Sequence, residues 1–415
     1  MYIYTHMLKS YKYKLKPNEE QDVLLNKHFG SIRFAYNYFL SERRKEYEAN
    51  KQTLTYNDNA KALTQLKKQE EYTWLKEVNS QSLQYSLKSL DGAYINFFKK
   101  RAQFPRFKSK HNKNSFCVPQ YVKLEGNNLI MPKFKDPIKV VLHRTFKGKV
   151  KQCTLSKTPT NEYFVSILVE TEHKKLNKTG KQAGIDLGIK DFAITSDGKK
   201  YKNNRYTKKY ARKLKKEQQN LSKKQKDSNR YNKQKIKVAR LYKKITNSRN
   251  DNLHKVSTQL VKNYDIIFLE SLNIKGMMSK CKPKKDENGK FLPNGQSAKR
   301  GLNRSIADAN WSKFISILEY KAKWNDKQIV KIGRFYPSSK SCHKCGFINQ
   351  NLTLRDREWI CPECNSKLDR DLNAAINILI EGSKIISAGT VDYRRGDEIR
   401  PSSLGTIRET SKVLK

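Results

Sequence analysis

The chain has 415 residues, with 87 Lys plus Arg against 39 Asp plus Glu, a formal net charge of +48. An excess of that size, spread along the whole chain, implies either strong self-repulsion or a polyanionic partner, with nucleic acid the default one and a solvated Lys-rich surface the alternative. The longest apolar runs are four residues, as at 266–269; a bilayer span needs about 20, and the N-terminus lacks an apolar signal core. The expectation is therefore an intracellular protein, cytoplasmic and nucleoid-associated, with no membrane partner.

Residues 8–17 alternate Tyr with Lys and predict a short strand ending at Pro17. Asn18 then stands where a helix cap belongs, with Glu19, Glu20 and Gln21 in the first turn. Residues 18 to about 100 read as helical, and from 82 to 100 Leu83, Leu87, Leu90, Tyr94 and Phe97 form one apolar helix face. Pro105 and its charged neighbours break the helix at 101–114. The stretch from 115 to 171 predicts several short strands, a small barrel.

A basic linker at 172–182 leads into AGIDLGIKDFAITSDG at 183–198, two short strands joined by a tight turn. Residues 205–247 are Lys-rich and free of Gly and predict a basic helical hairpin; a further helix follows at about 252–263. YDIIFLESL holds a buried strand ending in an acid. An exposed loop at 277–300, an amphipathic helix at about 304–325 and a strand at 328–335 come next. The four-cysteine segment and a helix in DRDLNAAINILI close the ordered part, leaving a polar tail at 386–415 that is expected to be disordered. No repeat of solenoid length is present.

The chain has seven cysteines, and Cys117, Cys153 and Cys281 are scattered. The other four form two C-x-x-C pairs, Cys342 with Cys345 and Cys361 with Cys364, with 15 residues between the pairs. That spacing is the pattern of one structural zinc ion: each knuckle presents two thiolates, and two knuckles close a tetrahedral site with no open position. Gly346 and Pro362 suit such turns, whereas a redox dithiol needs only one pair.

Three acids stand out by their surroundings. Asp186 lies between apolar neighbours in GIDLG, Glu270 ends the run IIFLE, and Asp371 opens the helix in DRDLNAA. An ionised carboxylate beside a core strand is costly unless it is paired or holds a metal. Three that converge would hold Mg²⁺ through oxygen, and a pair of such ions stabilises the attacking and leaving oxygens of phosphodiester cleavage. Asp191 and Asp197 read instead as turn residues. Asp369 reads as a neighbour supporting that site, and Asn373 as a hydrogen bonder at the helix start.

At these motifs the chain resembles a known family. GIDLGIKDFAITSDG, FLESLNIKGM, RFYPSSKSCHKCG and DRDLNAAINI are similar to the RuvC and zinc-ribbon motifs of transposon-encoded TnpB proteins, compact relatives of type V CRISPR effectors. YKLKPNEEQ, FGSIRFAYNYFL, PRFKSK, NDNLHKVSTQLV and SIADANWSKFISILEYKAKW extend the likeness from about residue 8 to about residue 390. The resemblance implies a multidomain α/β protein plus a β-barrel. A small barrel wedge domain (1–17 and 108–175) would hold a helical recognition lobe (18–107). An RNase H-like, RuvC nuclease domain (176–336 and 367–385) would carry an inserted zinc ribbon (337–366).

It further implies an enzyme: an RNA-guided endonuclease of a transposon that cleaves double-stranded DNA beside a short target-adjacent motif. The catalytic acids would be Asp186, Glu270 and Asp371, holding two Mg²⁺, and the ligands of one structural Zn²⁺ would be Cys342, Cys345, Cys361 and Cys364. The partners implied are a guide RNA from the transposon end and target DNA, with one protein per RNA. Two alternatives stay open: an idle RNA-guided DNA-binding protein, or a strand-transferring transposase. The net charge agrees with a channel that holds nucleic acid by its backbone while base pairing reads the sequence. Phe104, Arg106, Phe107, Lys108 and Lys110 read either as stacking platforms with phosphate-binding charge or as a solvated loop. The 205–247 hairpin reads either as a duplex lining or as an exposed helix pair.

Overall fold

The structure is a computed structural model that describes residues 4–111, 114–353 and 355–389. It divides into two units. The first comprises Met1–Lys175 together with Lys213–Lys244; the second comprises Leu176–Arg212 and Ile245–Lys415.

The first unit opens with strand β1 (Tyr4–Lys16). It runs longer than the sequence predicts because it pairs antiparallel along its whole length with a late partner strand. Helix α1 (Glu19–Asn50) starts as expected at Asn18: the Asn18 side chain accepts from the Gln21 backbone N–H, and the Gln21 side chain accepts from that of Asn18. This reciprocal cap satisfies two donors that a helix start otherwise leaves bare. Helices α2 (Tyr56–Leu66) and α3 (Ser80–Phe98) follow, separated by a tight 3₁₀ turn at Glu70–Glu77. The predicted stripe on α3 is real at Leu83, Leu87 and Leu90, which are fully buried, and leaves the core towards Phe97.

Strands β2 (Asn114–Val118), β3 (Lys123–Glu125), β4 (Asn128–Ile130), β5 (Ile138–Val141), β6 (Lys149–Lys157) and β7 (Tyr163–Lys174) complete an antiparallel seven-stranded sheet. Its order is β2-β6-β7-β1-β5-β4-β3. Among the described residues no pairing joins β2 to β3, so the predicted small barrel stands as a sheet open at that edge. Val165, Ile167 and Val169 alternate inward from β7 onto the same core as Leu25, Phe29 and Leu87.

The second unit begins with β8 (Gln182–Asp186), β9 (Asp191–Thr195) and β10 (Lys200–Lys202). Helices α4 (Tyr206–Ser222) and α5 (Asn229–Asn263) come next; their segment 213–244 groups with the first unit. The two helices that the sequence separates at about 247–252 are one: nothing in that polar stretch breaks α5, since it holds neither Gly nor Pro. After β11 (Ile266–Glu270) and the single turn α6 (Ile274–Met277), the expected exposed loop carries a small hairpin, β12 (Lys284–Lys285) with β13 (Phe291–Leu292). The helix expected at 304–325 is two, α7 (Gln296–Ala309) and α8 (Trp311–Trp324), broken where Asn310 takes a left-handed conformation (φ 57°). β14 (Gln328–Ile332) ends three residues before the predicted 335. β15 (Glu358–Ile360), β16 (Lys367–Asp369) and α9 (Arg370–Ser387) finish the described chain. The expected tail lies, from residue 390 on, outside the described residues. Among the described residues no helix is long and apolar enough to cross a membrane.

The central sheet of this unit has the order β10-β9-β8-β11-β14. β8 is antiparallel to β9 and parallel to β11, which is parallel to β14. α9 lies directly on β8 and β11, and two glycines permit it. A Cβ on Gly184 would stand 2.1 Å from the Ala375 carbonyl oxygen and 2.5 Å from the Leu379 nitrogen. A Cβ on Gly382 would stand 2.0 Å from the Phe268 ring. Both approaches are closer than a Cβ tolerates: at Gly184 strand backbone meets helix backbone, and at Gly382 the helix backbone meets the Phe268 ring. Gly184→Ala is expected to lower the thermal midpoint by several degrees, equivalent to about 1–3 kcal/mol of overpacking. Gly301→Ala, in α7 with open space around it, is expected to raise it slightly. Calorimetry of the two variants checks both signs.

Candidate active site and cysteine knuckles

Asp186 is the last residue of β8 and Glu270 the last of β11. The parallel register sets Leu269 opposite Ile185, which brings the two acids side by side at the carboxyl ends of neighbouring strands. Side chains alternate along a strand, so Asp186 shares a face with Gly184, and Glu270 with Phe268. That is the face α9 covers. The helix crosses from β8 to β11, with Ala375 and Leu379 over Gly184 and Gly382 over Phe268, the register partner of Gly184, and Asp371, one turn before Ala375, acts on the Asp186 carboxyl. Its first turn, with Asp371, therefore reaches the same end of the sheet.

The electrostatics report the convergence. Burial pushes the Asp186 carboxyl up to about 7, and the carboxylates of Glu270 and Asp371 add to the rise. Burial also raises Glu270, opposed by a hydrogen bond donated by the Ser338 hydroxyl. Asp371 pairs with two guanidiniums, Arg370 at 3.0 Å and Arg357 at 3.3 Å. Glu270 and Asp371 thus both act on a buried Asp186, with Arg370 and Arg357 beside Asp371. A hard divalent cation with oxygen ligands is the species such a donor set accommodates. The carboxylates are not drawn as tight as the thiols: among the described residues only the cysteines bring all their ligand atoms within 4.8 Å of one another.

Asp369 has a defined task. It caps α9, accepting from the backbone N–H groups of Asp371 and Leu372 at 3.0 Å each, and pairs with Lys200 at 2.8 Å. It positions the Asp371 backbone. Asp197, as expected, sits in a turn, where it accepts from Thr195 and Tyr264. Asp191 instead begins β9.

The four cysteines come together as the spacing predicts. Cys342 and Cys364 stand 3.6 Å apart at sulfur, and Cys345 and Cys361 3.5 Å. Four thiolates about 2.3 Å from one tetrahedral ion lie at nearly that spacing, whereas a disulfide holds its sulfurs at about 2.05 Å. The two knuckles are the same turn. Cys342 O accepts from Gly346 N–H (2.9 Å) and Cys361 O from Asn365 N–H (2.8 Å); Gly346 and Asn365 both have positive φ, 82° and 52°. The fifth residue of each knuckle is therefore one that tolerates the left-handed region.

The first knuckle is tied to α9. Asn373 Oδ1 accepts from His343 N–H (3.0 Å), and the amides of Asn373 and Asn377 donate to the Ser341 carbonyl at 2.7 and 2.6 Å. Asn377 also donates to the Ser338 carbonyl (2.8 Å). Asn373 is more than a helix-start bonder. Asn377 and Ser338 escape the sequence reading, although two amides one turn apart inside the apolar stripe of NAAINILI are the signal that betrays the first.

Residues 166–280 match a family model described as "Probable transposase", and residues 311–378 one described as "Cas12f1-like, TNB domain". A "Putative RNA-guided DNA endonuclease" of Streptomyces pristinaespiralis is 34% identical over 98% of this chain and 94% of its own length. The "Putative RNA-guided DNA endonuclease InsQ" of Escherichia coli K12 is 34% identical over 92% and 94%. A "TnpB-like protein" of Acanthamoeba polyphaga mimivirus is 26% identical over 66% of this chain and 51% of its own. The chain belongs to the TnpB family. A solved Cas12f1–sgRNA–target DNA complex aligns with a TM-score of 0.47 at 12% identity, covering 90% of this chain and 98% of that one.

Residues 7–52 of this TnpB-family chain match a model described as "Helix-turn-helix domain", yet here they form β1 and the single unbroken helix α1. The PRFKSK segment is neither a bare stacking platform nor a free loop. The rings of Phe104 and Phe107 each lie 4.9 Å from the Arg44 guanidinium, and Arg44 donates to the Pro105 carbonyl. Asn37 grips the Lys108 backbone on both sides (2.7 and 2.9 Å). Lys108 lies 3.7 Å from the Tyr36 ring, and burial pulls its ammonium down to about 8.

The Asp186 environment sets a pH dependence. Folding raises this carboxyl from its usual value near 3.9 to about 7. The folded state then holds the proton more tightly than the unfolded chain, and stability falls as pH rises from about 4 to about 7. In Mg²⁺-free buffer Asp186→Asn is expected to raise the thermal midpoint by a few degrees at pH 8 and little at pH 4. A loss at pH 8, or the same shift at both values, contradicts the assignment of that cost to Asp186.

Proposed function

We propose that the chain is an RNA-guided endonuclease that cuts double-stranded DNA beside a short target-adjacent motif. The observation that carries this reading is the meeting of Asp186, Glu270 and Asp371 at one end of the β8–β11 pair, in a chain of this family. The mixed five-stranded sheet with α9 on it supports an RNase H-like nuclease domain over 176–336 and 367–385. The helices α1–α3 would form the recognition lobe (18–107) and the open seven-stranded sheet the wedge (1–17 and 108–175). The knuckles would form a zinc ribbon (337–366), with Cys342, Cys345, Cys361 and Cys364 holding one structural Zn²⁺.

The carboxylates of Asp186, Glu270 and Asp371 would hold Mg²⁺, two ions in the full site, which when bound activates water and stabilises the departing 3′ oxygen. The chain's own groups set that site up. Ser338 orients Glu270 through its hydroxyl. Asp369 fixes the start of α9. Arg357 and Arg370 hold Asp371 and would offer cationic neighbours to a phosphate bound beside it. The wider charge of +48 would hold guide RNA and DNA by their phosphates while base pairing supplies sequence recognition.

The test starts from the protein expressed with its flanking transposon-end DNA. The RNA that co-purifies is sequenced, and the complex with Mg²⁺ is offered plasmids carrying a matched target beside randomised bases. Double-strand cuts confined to one motif subset are expected. Asp371→Ala is expected to keep the RNA and lose cleavage by at least about a thousandfold, as befits removal of a metal-holding group. Absence of a discrete RNA, strand joining instead of cutting, or wild-type cleavage by the alanine variant would each overturn the reading.

A further inference from the structure

Among the described residues Phe335 stands out: a large aromatic side chain 90% exposed, beside Arg334, whose guanidinium lies 5.8 Å from its ring. Isolated exposed apolar residues are ordinary, so exposure alone says little. The anchoring of its loop says more. On the N-terminal side, Ile332 is the register partner of Glu270, and its carbonyl accepts from the Ser271 N–H at 3.2 Å. On the C-terminal side, Ser338 donates its hydroxyl to the Glu270 carboxylate, while Asn373 and Asn377 reach the Ser338 carbonyl. The loop is thus pinned to Glu270 at both ends.

Its orientation is fixed as well. The next residue, Tyr336, turns inward and packs against Val330, Ile332 and Ile378. A Tyr336 N–H to Gly333 carbonyl contact and a Ser338 N–H to Tyr336 carbonyl contact close the turn. With its neighbour held in the core, Phe335 is driven outward. It is three residues from each anchor, and an extended residue spans about 3.3 Å; Ile332 in turn lies one strand spacing, about 4.8 Å, from Glu270, so the Phe335 backbone lies within about 15 Å of Glu270. Stacked nucleotides are spaced about 3.4 Å along a strand, so the loop falls within about four to five nucleotides of a phosphate held by the acids.

We propose that Phe335 is a base-stacking residue that, with Arg334 against the adjoining phosphate, registers the DNA strand in the nuclease site. This rests on the nuclease reading above. A base presents a flat face to any aromatic ring, so stacking is indifferent to sequence, as a guided enzyme with variable targets requires. The occupant is a single DNA strand, because a paired and stacked base offers no free face.

The experiment uses the complete RNA-bound protein and matched targets in which one abasic nucleotide is stepped through the cut region of the displaced strand. Wild type is expected to slow about 5- to 150-fold, the range one stacked base is worth, at one or two neighbouring abasic positions. Phe335→Ala should slow by a similar factor on intact DNA, show no further loss at those positions, and keep its RNA and thermal midpoint. Phe335→Trp should restore the rate, which a merely structural role does not predict. Wild-type rates in Phe335→Ala, or abasic losses that multiply with the substitution at every position, would overturn the proposal. If wild type cuts nothing, the nuclease reading fails separately. The fluorescence of Phe335→Trp then decides: quenching by a single-stranded oligonucleotide, with a duplex of the same sequence silent, upholds stacking, and no quenching refutes it.

Discussion

The contact on which the second unit depends is the close approach of α9 to β8, backbone to backbone, and to β11 through the Phe268 ring. Gly184 and Gly382 have no side chain to hold the helix away. With α9 this close over Gly184, its first turn brings Asp371 to act on Asp186 at the carboxyl end of β8. The placement of Asp371 near Asp186 and Glu270 follows from that packing and from the parallel register, not from any direct bond among the acids. Interiors transmit small displacements because they are close-packed, so a shift of the helix moves Asp371 with it.

The cysteine knuckles bear on the same helix. Asn373 and Asn377 bind the chain just before and within the first knuckle, and the second knuckle lies between the paired strands β15 and β16, the latter leading into the α9 cap at Asp369. A closed four-thiolate site has no open coordination position for chemistry. The segment from Ser338 to His343 that leads into it is held by Asn373 and Asn377 of α9, and Ser338 in turn bonds Glu270. The cluster and the acids are one construction, although nothing in their chemistry requires them to be close.

Much of this was legible in the sequence because the signals are local. Two C-x-x-C pairs declare a tetrahedral site through spacing alone, and an acid ending an apolar run declares a charge at the edge of a core. The Asn18 cap and the α3 stripe are likewise written in neighbouring residues. What stayed hidden depends on partners far along the chain. The full length of β1 is set by β7, and the union of the two predicted helices in α5 follows from the lack of any breaker rather than from a positive signal. Ser338 and Asn377 become functional neighbours only after the chain folds back. The aromatic and basic residues of PRFKSK show the limit of composition: the same residue types suit nucleic acid or a neighbouring arginine, and in the fold Phe104 and Phe107 lie beside Arg44 while staying exposed.

The central claim is that three carboxylates distant in sequence make one divalent-cation site. Mn²⁺ in place of Mg²⁺ gives a paramagnetic probe, and its binding to the RNA- and target-bound protein can be titrated by electron paramagnetic resonance. The account predicts tight sites in wild type that weaken in Asp186→Asn, Glu270→Gln and Asp371→Asn alike, with zinc content unchanged in each. Undiminished Mn²⁺ binding in any one of the three variants would contradict it, because the acid concerned would then stand outside the site.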